Sequence, residues 1–358
     1  MSTNQLYNTW YAEIRELRPD EHTSRLRSFV WLLVGLFLAQ SVHLSKIGMK
    51  IPGQATNKSK ERRVQRTLDN PAIHVRSWYA PWITAILDRI VAHDLPVRLI
   101  VDGSKVGFGH QLLMVAVAYR RRALPVAWTW VKGSRGHSSS GQQLALLSYV
   151  RRLIPPGATV SLVGDSEFGA IPVLKWLDAN QWLYVLRQKG NHLVQLPHET
   201  RWRRFDSLIS RRRQRIWIPQ ALLTKNHAYG VNLIAYWKSG EKEPWLLATN
   251  YAELRAALRA YRKRMWIEEM FGDFKGHGFD LESTHLHNFR RLSRLTLAVA
   301  LLYLWLVAYG SKVIKDGWRY LVDRTDRCDL SIFRIGLDMI DRHLTNQEAF
   351  LFRRIPYF

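Results

Sequence analysis

The amino-acid sequence predicts an α/β fold in which a mixed sheet is flanked by helices. Two observations lead to this prediction. From Val97 onward, short apolar runs that suit strands alternate with helical patterns, in the order three strands, helix, strand, helix, strand. Apolar residues make up 47% of the 358 residues, which is enough to bury a substantial core.

Residues 1–94 are predicted to form a helical region that binds DNA. Helices are expected at Arg25–Val42 and Leu44–Lys50, and a turn separates them from a basic helix at Lys58–Leu68 with Asn57 as its N-cap. A helix, a turn and a basic helix are the layout of a DNA-reading module. A solvated helix face is the alternative, because runs of charge usually face water. The residues expected to contact DNA are Arg62, Arg63 and Arg66.

The predicted catalytic core is divided by an insertion. Its two parts are residues 95–186 and 251–310, and the segment between them, 187–250, is rich in strand-like runs and in arginine. A single helix is expected over Ala252–Lys275. Residues 311–358 are predicted to form a helical C-terminal tail.

Three acidic residues lie where an active site is expected. Asp102 and Asp165 each end a short apolar run, and open α/β sheets place their active sites at the carboxyl ends of the strands. Glu268 lies much later, on the predicted helix Ala252–Lys275. Three carboxylates that are far apart in sequence but close in space are a suitable set of ligands for divalent ions.

A stripe of polar side chains is predicted on the helix that carries Glu268. At 100° per residue, Glu268 and three other residues fall within about 60° of arc. These residues are Tyr261, Arg264 and Lys275. Such a stripe suits a metal-bound phosphodiester, because arginine binds phosphate as a fork and lysine as a point charge. Ion pairs between the two cations and Glu268 are the structural alternative.

These residues resemble the DDE triad and the signature Y-x2-R-x3-E-x6-K of a large group of bacterial insertion-sequence transposases. The matching residues are Asp102, Asp165 and Glu268 for the triad, and Tyr261, Arg264, Glu268 and Lys275 for the signature. The resemblance covers roughly residues 95–310, and it implies an RNase H-like core with a β-rich insertion. One departure is Ser166, where many relatives have arginine.

The resemblance also implies a cofactor, a reaction and partners. The three carboxylates would hold two Mg²⁺ ions, with Mn²⁺ as the alternative. The implied partners are double-stranded DNA, namely the terminal inverted repeats of an element and its target, and a second copy of the chain in a homodimer on DNA. In some relatives an aromatic residue of the insertion stacks on a flipped base, and Trp202 is the candidate here.

Each acidic residue also has a rival or a structural alternative. An aspartate at the end of a strand often caps the next turn. Glu167 lies two residues after Asp165 and is a second candidate for its role. Glu269 is the rival of Glu268, but it lies about 100° away around the helix and is expected to form a surface salt bridge.

The charge of the chain indicates a polyanionic partner. The 53 lysines and arginines outnumber 29 acidic residues, for a net charge of +24. Nucleic acid is favoured over an anionic membrane surface, because the fifteen tryptophans could stack on unpaired bases. The apolar stretches Phe29–Ala39 and Leu295–Tyr309 are shorter than a typical membrane span and are expected to be buried core helices. The single cysteine, Cys328, cannot form an internal disulfide, which fits a reducing cytoplasm. The resemblance implies that this is a bacterial cytoplasm and that the protein associates with the nucleoid. No Walker A loop or GxGxxG motif supports nucleotide-driven chemistry.

The sequence therefore predicts a metal-dependent DNA transposase. It would hydrolyse the strand at the ends of an element and transfer the 3′-hydroxyl into target DNA. One alternative is an RNase H-like nuclease that cuts DNA without joining strands. The other is a transposase-derived protein that binds DNA but has no catalytic activity.

Overall fold

The computed structural model describes residues 2–107, 109–133, 138–349 and 351–358. In these residues the α-helices are α1 Thr3–Leu17, α2 Thr23–Ala39, α3 Leu44–Lys50, α4 Asn57–Asp69, α5 Val75–Ala92, α6 Ser140–Arg151, α7 Ile171–Ala179, α8 Leu254–Tyr261, α9 Met265–Phe274, α10 Phe289–Lys315 and α11 Ile332–Thr345. The strands are β1 Val97–Val106, β2 His110–Tyr119, β3 Arg122–Lys132, β4 Val160–Gly164, β5 Leu183–Arg187, β6 Leu193–Gln195, β7 Trp202–Arg204, β8 Arg215–Leu223, β9 Tyr229–Tyr236 and β10 Trp245–Thr249.

The chain divides into two compact units. The first unit comprises Met1–His93, Lys105–His110 and Phe271–Phe358. The second unit comprises Asp94–Ser104 and Gln111–Met270, and it contains most of the sheet. Both units are therefore built from segments that are distant in sequence.

The sheet has the mixed α/β architecture that the sequence predicts. Its first five strands lie in the order β3-β2-β1-β4-β5, and β4 runs parallel to both β1 and β5. A tight turn at Arg120 and Arg121 joins β2 to β3, and both residues have positive φ, as in a type I′ hairpin. Strands β1, β2 and β3 are consecutive in sequence and adjacent in the sheet, and β4 and β5 lie on the other side of β1. This is the RNase H-like order, so the predicted fold class is confirmed.

The strands of the predicted insertion extend this same sheet. After β5 the order continues β10-β9-β8-β6-β7, so the described residues form one sheet of ten strands. β10 pairs antiparallel with β5 and with β9, and Thr249 is aligned with Val185. The side chain of Thr249 is fully buried, and its hydroxyl donates to the carbonyl of Tyr184 at 2.6 Å. The inserted strands are thus hydrogen-bonded to the core.

In the first unit, the helices near the N-terminus pack on the helices near the C-terminus. α10 contacts α2, α4, α5 and α11. It is long and apolar enough to cross a membrane, but 89% of its most apolar window is buried inside the protein, as in the core helix of a soluble domain. Arg294 of α10 donates to the carbonyls of Leu68 and Ile73, at 2.9 and 3.1 Å, and so binds the end of α4.

The basic helix forms almost where it is predicted. α4 spans Asn57–Asp69, whereas the sequence predicts Lys58–Leu68. The N-cap is Thr56 rather than Asn57, because the Thr56 hydroxyl accepts a hydrogen bond from the backbone N–H of Ser59 at 3.2 Å. α3 has the predicted bounds, Leu44–Lys50.

Candidate active site

Asp102 lies within β1 and is almost fully buried, with 1% of its surface exposed. The parallel pairing of β1 with β4 aligns Val101 with Gly164, so the next residue on each strand is an aspartate, Asp102 or Asp165. The two aspartates therefore follow the last paired residues of neighbouring parallel strands. The prediction that Asp102 ends its strand is wrong, because β1 runs on to Val106 beyond the end of β4 and pairs with β2 on its other side.

Asp165 follows β4 directly and supports the turn after it. Its Oδ1 atom accepts a hydrogen bond of 2.9 Å from the backbone N–H of Glu167, and its carbonyl accepts one of 3.2 Å from the N–H of Phe168. The turn-capping alternative is thus present. It is compatible with a cation-binding role, because a carboxylate has about four lone-pair sites.

Glu167, the rival of Asp165, accepts hydrogen bonds from two other elements. Its carboxylate accepts bonds of 3.0 and 3.2 Å from Nε2 of Gln111, and one of 3.0 Å from the backbone N–H of Ser138. The hydroxyl of Ser138 donates to the same carboxylate. Gln143 of α6 donates to the Glu167 carbonyl at 3.1 Å. These bonds favour a structural role for Glu167 and so favour Asp165 as the reactive acid.

Gln111 connects the segments that carry the two aspartates. Its side chain is fully buried, and it donates to Glu167, two residues after Asp165. On the other side it packs against Gly103, where an added Cβ would lie 1.9 Å from Gln111 Nε2. Gly103 follows Asp102, and its backbone N–H donates to Asp102 Oδ1 at 2.7 Å. Gln111 therefore holds the two aspartate segments together.

Glu268 is joined to Asp102 through Arg264. The Nη1 atom of Arg264 lies 2.8 Å from Glu268 Oε1 and 3.4 Å from Asp102 Oδ2. Burial lowers the pKa of Arg264, but its electrostatic interactions with Tyr261, Asp102 and Glu268 outweigh burial and raise the pKa above its usual value. Arg264 is thus a permanent cation between two acids of the predicted triad.

The prediction of a single helix over Ala252–Lys275 is wrong. α8 ends at Tyr261, a turn of 3₁₀ helix covers Arg262–Arg264, and α9 begins at Met265. Tyr261 is 3% exposed, and its ring meets the edge of Trp245 at a centroid distance of 5.0 Å. Burial raises the pKa of Tyr261 to about 12, and the charge of Arg264 opposes that rise.

Lys275 and Glu269 each form an ion pair with a residue outside the predicted triad. Lys275 lies one residue beyond the end of α9, and its Nζ atom is 2.5 Å from Glu282 Oε1. Glu269 forms the predicted surface salt bridge, since its Oε2 atom lies 3.3 Å from Nη1 of Arg122 and its side chain is 57% exposed. This pairing favours Glu268 over Glu269 as the third acid.

A cleft of about 570 Å³ opens beside Asp165 in the second unit. Lys189, His192, Thr224 and His227 line it. His192 donates from Nδ1 to the amide oxygen of a buried glutamine, Gln188, and burial lowers the pKa of His192, with Lys189 adding to the effect. These residues were not predicted from the sequence, because they come from the segment after β5 and the loop between β8 and β9.

Comparison with known families identifies the family of the chain. The model of the transposase DDE domain matches residues 96–305, which include both aspartates and all four residues of the signature. The chain belongs to the DDE transposase family. No curated protein matches it. Among solved structures, this transposase is similar to a piggyBac transposase in a synaptic complex with hairpin DNA, at 11% identity and a TM-score of 0.41, over 99% of this chain and 83% of that one.

Divalent metal ions are in general use among DDE transposases, and the residues of this one have suitable chemistry for them. In the part of the chain that is described, no three His, Cys, Asp or Glu side chains are already grouped around a metal position. The acids are nevertheless oxygen ligands of the kind that Mg²⁺ prefers. Arg264, a cation, already lies against Asp102 and Glu268, so this position attracts positive charge.

The other predicted DNA contacts of the transposase lie outside this site. Arg62, Arg63 and Arg66 are exposed on α4 of the first unit. Trp202 is half-buried on β7, at the edge of the sheet, next to Arg203 and Arg204, which pair with nearby acids. It is not among the residues that line the cleft beside Asp165. A DNA contact by any of these residues stays a prediction.

Proposed function

We propose that this transposase hydrolyses a DNA strand at the ends of a mobile element and then joins the new end to target DNA. The observation that carries the proposal is that Asp102 and Asp165 directly follow Val101 and Gly164, which are aligned on neighbouring parallel strands, and that Glu268 is linked to Asp102 through Arg264. All four residues lie in the segment that matches the family.

The cofactor proposed is a pair of Mg²⁺ ions, with Mn²⁺ as the alternative. Asp102, Asp165 and Glu268 would hold them. When bound, such ions neutralise charge on the phosphate and favour ionisation of the attacking hydroxyl or water. A metal ion bound at Oε1 of Glu268 would compete with Arg264 for that oxygen.

The reaction proposed has two steps at the same site. First, water attacks the phosphorus at the element end, the bond to the 3′-oxygen breaks, and a 3′-hydroxyl and a 5′-phosphate result. Second, this 3′-hydroxyl loses its proton and attacks a phosphorus of target DNA, which displaces the 3′-oxygen of the target strand. Arg264 would bind a nonbridging phosphate oxygen once its contact with Glu268 is released. Tyr261 and Lys275 are the other signature residues that we propose to contact DNA.

The biological setting proposed follows the sequence signature. The chain would be a bacterial insertion-sequence transposase of the Y-x2-R-x3-E-x6-K group, acting in the cytoplasm at the nucleoid. It would bind the terminal inverted repeats as a homodimer, because two element ends must be handled together. The net charge of +24 supports a DNA partner.

A strand-transfer assay tests the proposal. The full chain is incubated with Mg²⁺, a labelled duplex that carries an inverted repeat from the flanks of its gene, and a target plasmid. Label that appears in the plasmid supports transposition. Cleavage without joining would identify a nuclease, and binding without cleavage would identify an inactive DNA-binding protein.

A further inference from the structure

The first unit contains a basic cavity between α2 and α4. Its volume is about 330 Å³, and three arginines line it: Arg25, Arg63 and Arg66. No Asp or Glu is among the described residues that line the cavity. A concave site with several guanidinium groups and no acid suits a phosphate, because arginine donates two parallel hydrogen bonds to its oxygens.

Two of these arginines are available to a ligand. Arg63 and Arg66 are exposed, and the described residues form no ion pair with either side chain. The acids of this region are already engaged elsewhere, since Glu21 pairs with Arg25, and Asp69 pairs with Arg291. Arg25 also has a buried Nε atom with no hydrogen-bond partner. The net charge of the cavity wall is therefore positive.

A second cavity of about 440 Å³ shares a wall with the first. Ile73, in the loop between α4 and α5, lines both cavities. The second cavity is lined by Arg290 and by Arg294 at the start of α10. Arg294 is buried and donates to the backbone carbonyls of α4 and its following loop, so it fixes the wall, whereas Arg290 is exposed.

The two cavities adjoin at Ile73, and we call them together the trench. Its arginines include Arg63 and Arg66 of α4 and Arg290 of α10. We propose that this trench binds the sugar–phosphate backbone of a DNA strand, independently of base sequence, through Arg63, Arg66 and Arg290. The inference rests on the proposed function, in that it assumes a DNA partner. Of the three arginines of α4 that are predicted to contact DNA, Arg63 and Arg66 belong to the trench, whereas Arg62 lines neither cavity.

Backbone binding has a measurable signature. Each phosphate that an arginine neutralises releases counterions, so the logarithm of the binding constant falls against the logarithm of salt concentration by about 0.9 per contact. Removing such an arginine lowers affinity for every duplex alike, whereas removing a base contact relaxes sequence preference.

The test measures binding of the full chain, at several salt concentrations, to an inverted-repeat duplex and to an unrelated duplex of equal length. The double variant Arg63→Ala/Arg66→Ala is expected to lose at least about tenfold in affinity for both duplexes, with a slope smaller by about 1.8. Arg290→Ala is expected to reduce the slope by about 0.9. The matched control is Arg27→Ala, an exposed arginine of α2 that lines neither cavity and is expected to leave the slope unchanged.

Three results would overturn the inference. These are an unchanged slope in the double variant, an equal loss in Arg27→Ala, and a loss confined to the inverted-repeat duplex. Each leaves the proposed function standing, since the wild-type chain still binds DNA. A wild-type chain that binds neither duplex removes both proposals. Equal melting temperatures for the variants and the wild type exclude unfolding as the cause of lost affinity.

Discussion

Nη1 of Arg264 lies 2.8 Å from Oε1 of Glu268, one helical turn further along the chain. The same nitrogen is 3.4 Å from the buried carboxylate of Asp102. Two like charges close together are costly unless a cation lies between them. Arg264 supplies that cation when no metal is bound, and the proposed metal ions would supply it in the active complex.

The first prediction concerns the three acids. Asp102→Asn, Asp165→Asn and Glu268→Gln are each expected to abolish strand cleavage and to leave DNA binding within about twofold, because affinity comes mainly from basic residues. The measurement is nicking of a labelled end duplex in Mg²⁺, with binding measured in parallel. Glu269→Gln is the matched control, since Glu269 pairs with Arg122 at the surface. Cleavage by any triad variant removes that residue from the active site.

The second prediction concerns Arg264. Arg264→Ala is expected to lower the free energy of unfolding by about 2 kcal/mol without divalent ions, because Asp102 is buried and loses its cation. Mn²⁺ is then expected to raise the melting temperature of the variant more than that of the wild type, since the ion no longer competes with the guanidinium. An equal Mn²⁺ effect in both proteins contradicts this competition. The cleavage rate of the variant should also fall, because the phosphate loses a donor.

The third prediction separates two roles of Lys275. Lys275→Ala and Glu282→Gln both break the ion pair between these residues. If Lys275 binds DNA, Lys275→Ala reduces the cleavage rate severalfold, and Glu282→Gln leaves it near the wild-type value. Both variants should melt close to the wild type, because a partly exposed ion pair contributes only about 0 to 1 kcal/mol. Equal cleavage rates in the two variants would assign Lys275 to the salt bridge alone.

The fourth prediction concerns the contact between Gly103 and Gln111. Gly103→Ala places a Cβ where the amide of Gln111 lies, so the amide must leave Glu167, and the segments of Asp102 and Asp165 lose this side-chain link. We expect lower stability and a higher Mn²⁺ concentration for half-maximal cleavage. Adding Gln111→Ala removes the clash and should recover part of the stability but not the metal response. A metal response equal to the wild type in both variants shows that Gln111 only fills space.

The elements of this chain were predictable where their signals are local. The apolar runs before Asp102 and Asp165 predict β1 and β4, and the basic run predicts α4. The 3₁₀ turn at Arg262–Arg264 was missed, because its Arg-Lys-Arg sequence favours a helix and carries no glycine or proline to mark a break. The alignment of the triad therefore depends on packing that the sequence alone does not indicate.

Contacts between distant segments could not be predicted from local sequence patterns. Gln111 binds Glu167 across 56 residues, and nothing near either residue predicts the bond. Likewise the sequence predicts a separate helical region over residues 1–94, yet Arg294 of α10 binds the end of α4. A fragment of residues 1–94 would lose the helix that covers α2 and α5, so DNA binding is better measured on the full chain.

The position of α9 and α10 in the chain has a consequence for protein synthesis. The ten strands of the described residues all leave the ribosome before Glu268 does, and α10 follows later still. A nascent chain therefore has both aspartates and its basic helix long before it has the third acid or the packing of the first unit. Under the proposed function, unfinished products of translation cannot cut the DNA that lies near the ribosome.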